Sequence, residues 1–79
     1  MEEKIVRVIK ENISRPVSLD KESSLAANGI DSIEFITIVI ALEEEFDIKF
    51  GDMQLVYSNY KTLGQLLSTV QQVIEEKNN

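Results

Sequence analysis

Residues 29–46 read "GIDSIEFITIVIALEEEF" and constrain the fold more than any other part of the chain. Stepping roughly 100° per residue along 32–46 places Phe35, Ile38, Val39, Leu42 and Phe46 on one side, the spacing of a helix that buries a full face. Ile33, Ile36 and Ile40 fall on a different side, so the helix has more apolar surface than one core contact uses. Asp31 stands where an N-cap belongs, with Ser32 at the first helical position.

The flanking segments are helical by the same test. Ile5, Val6, Ile9 and Ile13 recur at helical spacing, with Lys4, Arg7, Lys10 and Glu11 outward. This helix runs from residue 2 to 12 or 13 and stops before Pro16, which forces Arg15 out of the helical region. A long connection over 14–30 follows, and Val17, Leu19 and Leu25 are its expected anchors in the core. Residues 47–52, "DIKFGD", read as a loop punctuated by Gly51, and a short helix is expected over 53–58. The last helix starts near Thr62, where "TLGQ" fits a capping box between Thr62 and Gln65. Leu63, Leu66, Leu67, Val70, Val73 and Ile74 form its stripe, and "EEKNN" is expected to fray. With no strand pattern and no repeat, the expected fold is all-α: a small up-down bundle of three long helices and one short one, a single domain over 1–79.

The chain has neither cysteine nor histidine. That removes disulfides, Cys/His zinc sites and any dyad or triad that needs an imidazole. The acidic clusters have neither the spacing nor the central glycine of an EF-hand, so no metal site is expected. No apolar run is long enough to span a bilayer and the N-terminal residues do not resemble a secretory signal, so a cytoplasmic protein is expected. "NIS" at 12–14 matches a glycosylation acceptor, which that compartment makes irrelevant.

The net charge of −6 argues against nucleic acid as partner. All of the excess lies in residues 31–53, which hold seven acids and one base. Glu43, Glu44 and Glu45 crowd a helix C-terminus, where exposed acids are disfavoured by up to about 1 kcal/mol each. A local rule broken repeatedly without visible local gain points to function, here attraction of a basic partner, which the uneven placement of charge favours over the alternative of a solvated acidic face for solubility. Mutual repulsion among these acids and Asp47 also predicts lower stability at low ionic strength. The second apolar strip then has two readings. Either the long loop or the short helix buries it, or it is an exposed docking face rimmed by acids. Of its members Ile36 is expected to be the more buried, and Ile33 and Ile40 the better exposed.

Ser32 is a poor nucleophile of its own, since the chain has no histidine and Ser32 has no lysine at S-x-x-K spacing. A helix N-terminus does favour a phosphate, so a serine there suits a phosphodiester attached by another enzyme. The combination of length, acidity, helix order, long first loop and "GIDSIEFITIVIALEEEF" resembles the acyl carrier proteins over nearly the whole chain. The resemblance implies 4′-phosphopantetheine esterified to Ser32, with Asp31 as the motif neighbour that helps the transferase and its metal approach. The arm ends in a thiol that holds acyl groups, which supplies chemistry this chain's own side chains lack.

The same resemblance assigns partner docking to Ile33, Glu34, Ile36, Thr37, Ile40, Glu43 and Glu44. The partners implied are a phosphopantetheinyl transferase and acyl-transfer or synthase enzymes with basic patches, meeting a monomeric carrier that catalyses nothing itself. It further implies that Phe35, Ile38, Val39, Leu42, Leu63 and Leu67 line the interior, where family members slide an acyl chain between helices. Thr37 stands where fatty-acid carriers usually have an acid, and Ile33 where leucine is commoner. "AANGIDS" likewise departs from the usual lead-in. These departures point to a specialised carrier. Aminoacyl, peptidyl and D-alanyl carriers share the fold and the serine, and an unmodified acidic helical adaptor would present the same face.

Overall fold

The computed structural model describes residues 2–13 and 20–77. Three α-helices carry the structure: α1 (Glu2–Glu11), α2 (Ser32–Phe46) and α3 (Leu63–Lys77). Among the described residues there is no strand. α1 packs against both α2 and α3.

In α1 the buried side chains are Ile5, Val8 and Ile9, and Ile13 follows them into the core. Val8 thus takes the place that periodicity gave to Val6, which is only half-buried against the core edge. The helix ends at Glu11, where Asn12 folds its side-chain amide back to donate to the Val8 carbonyl at 2.8 Å. The expected anchors Val17 and Leu19 lie outside the described residues. The third, Leu25, is buried as expected.

The described part of the first connection is built from turns. Ser23 N–H donates to the Asp20 carbonyl at 3.1 Å, and Ala27 N–H to the Ser24 hydroxyl at 2.9 Å, opening a 3-10 turn over Ala26–Asn28. The same stretch serves α3. Leu63 N–H donates to the Ser23 carbonyl and Gly64 N–H to the Lys21 carbonyl, each at 2.9 Å, so loop carbonyls satisfy two donors that a helix start leaves open. A Cβ on Gly64 would lie 3.1 Å from the Lys21 oxygen, a tight contact that a larger residue would meet only by a shift of a few tenths of an ångström in the loop.

Between α2 and α3 the structure departs from the expected single short helix. Two 3-10 turns, Asp52–Leu55 and Tyr57–Asn59, flank Val56 in an extended conformation. Side-chain hydrogen bonds from Tyr57 to the distant Ile30 carbonyl, and from Asn59 and Tyr60 to the Met53 and Gln54 carbonyls within the same segment, hold the backbone in this broken path. The preceding loop also does more than connect: Ile48 and Phe50 are both buried.

All six stripe residues of α3 are buried. Its capping box forms by half. Gln65 N–H donates to Thr62 Oγ1 at 3.3 Å, but the Gln65 side chain accepts from Lys61 N–H at 2.7 Å, one residue earlier than the motif predicts. The C-terminal end does not fray where expected. Residues 75–77 are helical, and Lys77 Nζ reaches Asp47 Oδ2 at 2.9 Å, joining the ends of α2 and α3. Among the described residues no polar or charged side chain is buried.

Candidate functional site

The segment "GIDS" works one residue at a time. Gly29 adopts φ 75°, a left-handed conformation that costs glycine nothing, and its N–H closes the preceding turn on the Ala26 carbonyl. Ile30 then plunges fully into the core. Asp31 is extended, and its Oδ1 accepts the Glu34 N–H at 2.8 Å while its carbonyl accepts Phe35 N–H at 2.8 Å. It is the N-cap that the sequence indicated. Ser32, the first residue of α2, is consequently held at a fixed helix start with its side chain exposed. The N–H groups of Ser32 and Ile33 have no acceptor within the helix and face the same end.

Along α2, Phe35, Ile38, Val39 and Leu42 are fully buried, while Phe46 is half-buried at the core edge rather than within it. Neither the loop nor the 3-10 turns bury the second strip: Ile33 is 77%, Ile40 48% and Ile36 40% exposed. Ile36 is the most covered of the three, in the order expected. Met53, 74% exposed, and Val56 add to the exposed apolar surface. Sequence reasoning did not include them, because a 3-10 turn has no stripe to read.

A groove of about 500 Å³ opens beside Ser32, walled by Ile33, Phe35, Ile36, Thr37, Leu55 and Tyr57. Thr37 is exposed, its hydroxyl donating to the Ile33 carbonyl at 3.2 Å. Of the six side chains expected to line an acyl site, Phe35, Ile38, Val39, Leu42, Leu63 and Leu67, all are buried and only Phe35 reaches this groove.

The acids divide into two groups. Glu43 is half-buried, and its Oε2 accepts Phe50 N–H at 2.8 Å. Asp47, the C-cap in a left-handed conformation, pairs with Lys77, which holds its carboxyl below the ordinary value of 3.8 through a hydrogen bond and through charge. The expectation that this cluster brings no local gain is therefore corrected for Glu43 and Asp47. Glu44 and Glu45 stay exposed and, with Val8, Glu11, Asn12 and Ala41, line a shallow groove on the α1 side. Glu34 is half-buried beside Ser32.

The family model described as a phosphopantetheine attachment site matches residues 3–70. The chain belongs to the acyl carrier protein family. Members of that family are carriers rather than catalysts, and they work with transferases and acyl-processing enzymes. The chain is similar to the acyl carrier protein homolog of Mycoplasma pneumoniae, 38% identical over 48 residues, 61% of this chain and 55% of that protein. It is similar also to acyl carrier protein 4, chloroplastic, of Arabidopsis thaliana, 29% identical over 77 residues, 95% of this chain and 55% of that protein. The chain spans about half the length of these curated relatives. No solved structure gives a significant match. No helix among the described residues is long and apolar enough to cross a membrane.

The residues present fit the group that the family model describes. An exposed hydroxyl stands at a helix N-terminus whose open N–H groups favour a phosphodiester, and an apolar groove lies beside it.

Proposed function

We propose that this chain carries acyl groups as thioesters on a 4′-phosphopantetheine arm esterified to Ser32, for fatty-acid, polyketide or related acyl-chain biosynthesis in the cytoplasm. The observation that carries the reading is the placement of Ser32: exposed, first in α2, and fixed by the Asp31 cap. When bound, the group supplies a terminal thiol, which a chain without cysteine does not otherwise have.

The protein's own residues hold and present the attachment point. Asp31 fixes the helix start, and the N–H groups of Ser32 and Ile33 stand where the phosphodiester would sit. Ile33, Ile36 and Ile40 offer apolar contact to a partner, with Thr37 between them. Glu34 and Glu44 supply negative charge for basic patches on a phosphopantetheinyl transferase and on acyl-transfer or synthase enzymes. Glu43 serves that charge pattern while also fastening the loop at Phe50. The chain acts as a monomeric substrate of these enzymes. Its contribution to rate is the raised effective concentration of a tethered cargo.

Intact mass tests the reading. Wild type and Ser32→Ala are incubated with coenzyme A, magnesium and a broad-specificity phosphopantetheinyl transferase. A single phosphopantetheine increment on wild type alone is expected. No increment on folded, previously unmodified protein would overturn it and leave the acidic face as an adaptor surface. Loading assays with acyl, aminoacyl and D-alanyl donors then distinguish the cargo classes.

A further inference from the structure

Three aromatic rings pack together behind the groove at Ser32, and two of them, Phe35 and Tyr57, form part of its wall. Phe35 belongs to groove and core alike: it walls the groove and is fully buried in the core cluster. The Tyr57 ring meets it nearly edge-on, with centroids 5.6 Å apart and planes at 71°. Tyr60 tilts against the same ring at 5.3 Å and 44°. Each tyrosine is also fastened at its far end. Tyr57 donates its hydroxyl to the Ile30 carbonyl at 2.5 Å, and Tyr60 donates to the Gln54 carbonyl at 2.6 Å. Burial pushes the Tyr60 phenol above its ordinary value of 10.0, with Thr69 acting the other way.

A ring packed on one side and hydrogen-bonded on the other swings only by giving up both contacts. Edge-to-face packing is favourable in its own right. A buried carbonyl left without its donor is costly as well. Ile30 raises that cost for Tyr57, because its side chain is locked in the core and its carbonyl cannot follow a moving hydroxyl. Phe35 and Tyr57, with Tyr60 packed behind Phe35, share the groove wall with Ile33, Ile36 and Leu55, which give an alkyl chain an apolar seat next to Ser32.

We propose that Phe35, Tyr57 and Tyr60 form a fixed partition that keeps an acyl chain carried at Ser32 in the surface groove and out of the bundle interior. This rests on Ser32 being the attachment site. The resemblance to carriers that slide an acyl chain between their helices implies the opposite location. The partition suits short or medium acyl groups that a partner enzyme reaches without extracting them, and it disfavours long alkyl chains stored inside.

The test is a chain-length series. Wild type is loaded with butyryl-, octanoyl- and dodecanoyl-phosphopantetheine, and intact mass establishes loading before anything else is read. Failure at that step is a failure of the attachment reading, not of the partition. Methyl resonances of loaded protein are then compared with those of the protein carrying the free-thiol arm. Shifts that grow with chain length at Ile33, Ile36 and Leu55, with Ile38, Leu63 and Leu67 unmoved, are expected, together with an unchanged melting temperature. Length-dependent shifts at Ile38, Leu63 and Leu67, or none in either set, overturn the partition. Tyr57→Leu, at a half-buried position that folds more readily than a Phe35 variant, is expected to admit the octanoyl chain and shift the interior set. A folded Tyr57→Leu protein whose interior set stays unmoved overturns it too.

Discussion

The Glu43 carboxylate accepts the backbone N–H of Phe50 at 2.8 Å, seven residues further along the chain. The contact folds the loop after α2 back on the helix end and seats Phe50 in the core. A hydrogen bond to a charged acceptor contributes about 1.5–3 kcal/mol. Glu43→Ala is therefore expected to lower stability by about 2 kcal/mol, or roughly 8–16 °C of melting temperature for a domain this small. Glu44→Ala, one residue on and exposed, is expected to change stability by no more than about 0.5 kcal/mol. Equal losses from the two variants in urea unfolding would refute the distinction.

Asp47 gives a pH dependence with a definite sign. Its folded pKa lies below the ordinary 3.8, chiefly through the hydrogen bond from Lys77. Its contribution is present above 3.8 and is lost as pH falls through the depressed folded value. Lys77→Ala is expected to move the Asp47 titration back toward 3.8, measured by carboxyl NMR. An unmoved titration would show that Lys77 is not the cause.

The two faces of α2 separate stability from recognition. Ile38→Ala removes a fully buried side chain and is expected to cost about 2–5 kcal/mol, enough to unfold much of a small domain. Ile33→Ala, at an exposed position, is expected to leave stability within about 0.5 kcal/mol while raising the KM of a phosphopantetheinyl transferase for this chain. Paired unfolding and modification kinetics check both halves. A destabilised Ile33→Ala would mean that this strip packs in solution.

Salt is expected to raise the melting temperature, since Glu44 and Glu45 remain exposed at a helix end that already carries negative charge. The effect is smaller than the whole acidic run suggests, because Glu43 and Asp47 have partners. Glu44→Gln/Glu45→Gln is expected to abolish most of the rise between low and high NaCl.

These outcomes also show which parts of the structure local sequence carries. The stripes of α2 and α3 were legible because one face of a 3.6-residue period is a local signal, and the Asp31 cap because it acts three residues away. Ile48 and Phe50 were not, since two apolar residues in a six-residue loop are too few to establish a period. The Tyr57 turn depends on a carbonyl 27 residues earlier, and the Glu43 contact on a loop N–H beyond the reach of helix pairing. Val8 lost its place in the expected stripe to its neighbour Val6, where four apolar residues crowd one short helix. At the site, the choice between a covered and an exposed isoleucine strip was a tertiary question. The structure answers it through the path of the 3-10 turns.

The uneven placement of charge has a further consequence. With all of the net −6 in residues 31–53 and the remainder balanced, the chain is polar in the electrical sense as well as acidic. A positive field exerts a torque on such a body as well as a pull. It rotates during approach, so encounters with a basic surface begin with the α2 side already leading. Fewer collisions are then wasted on the wrong orientation, at a rate that falls as added ions shorten the reach of that field.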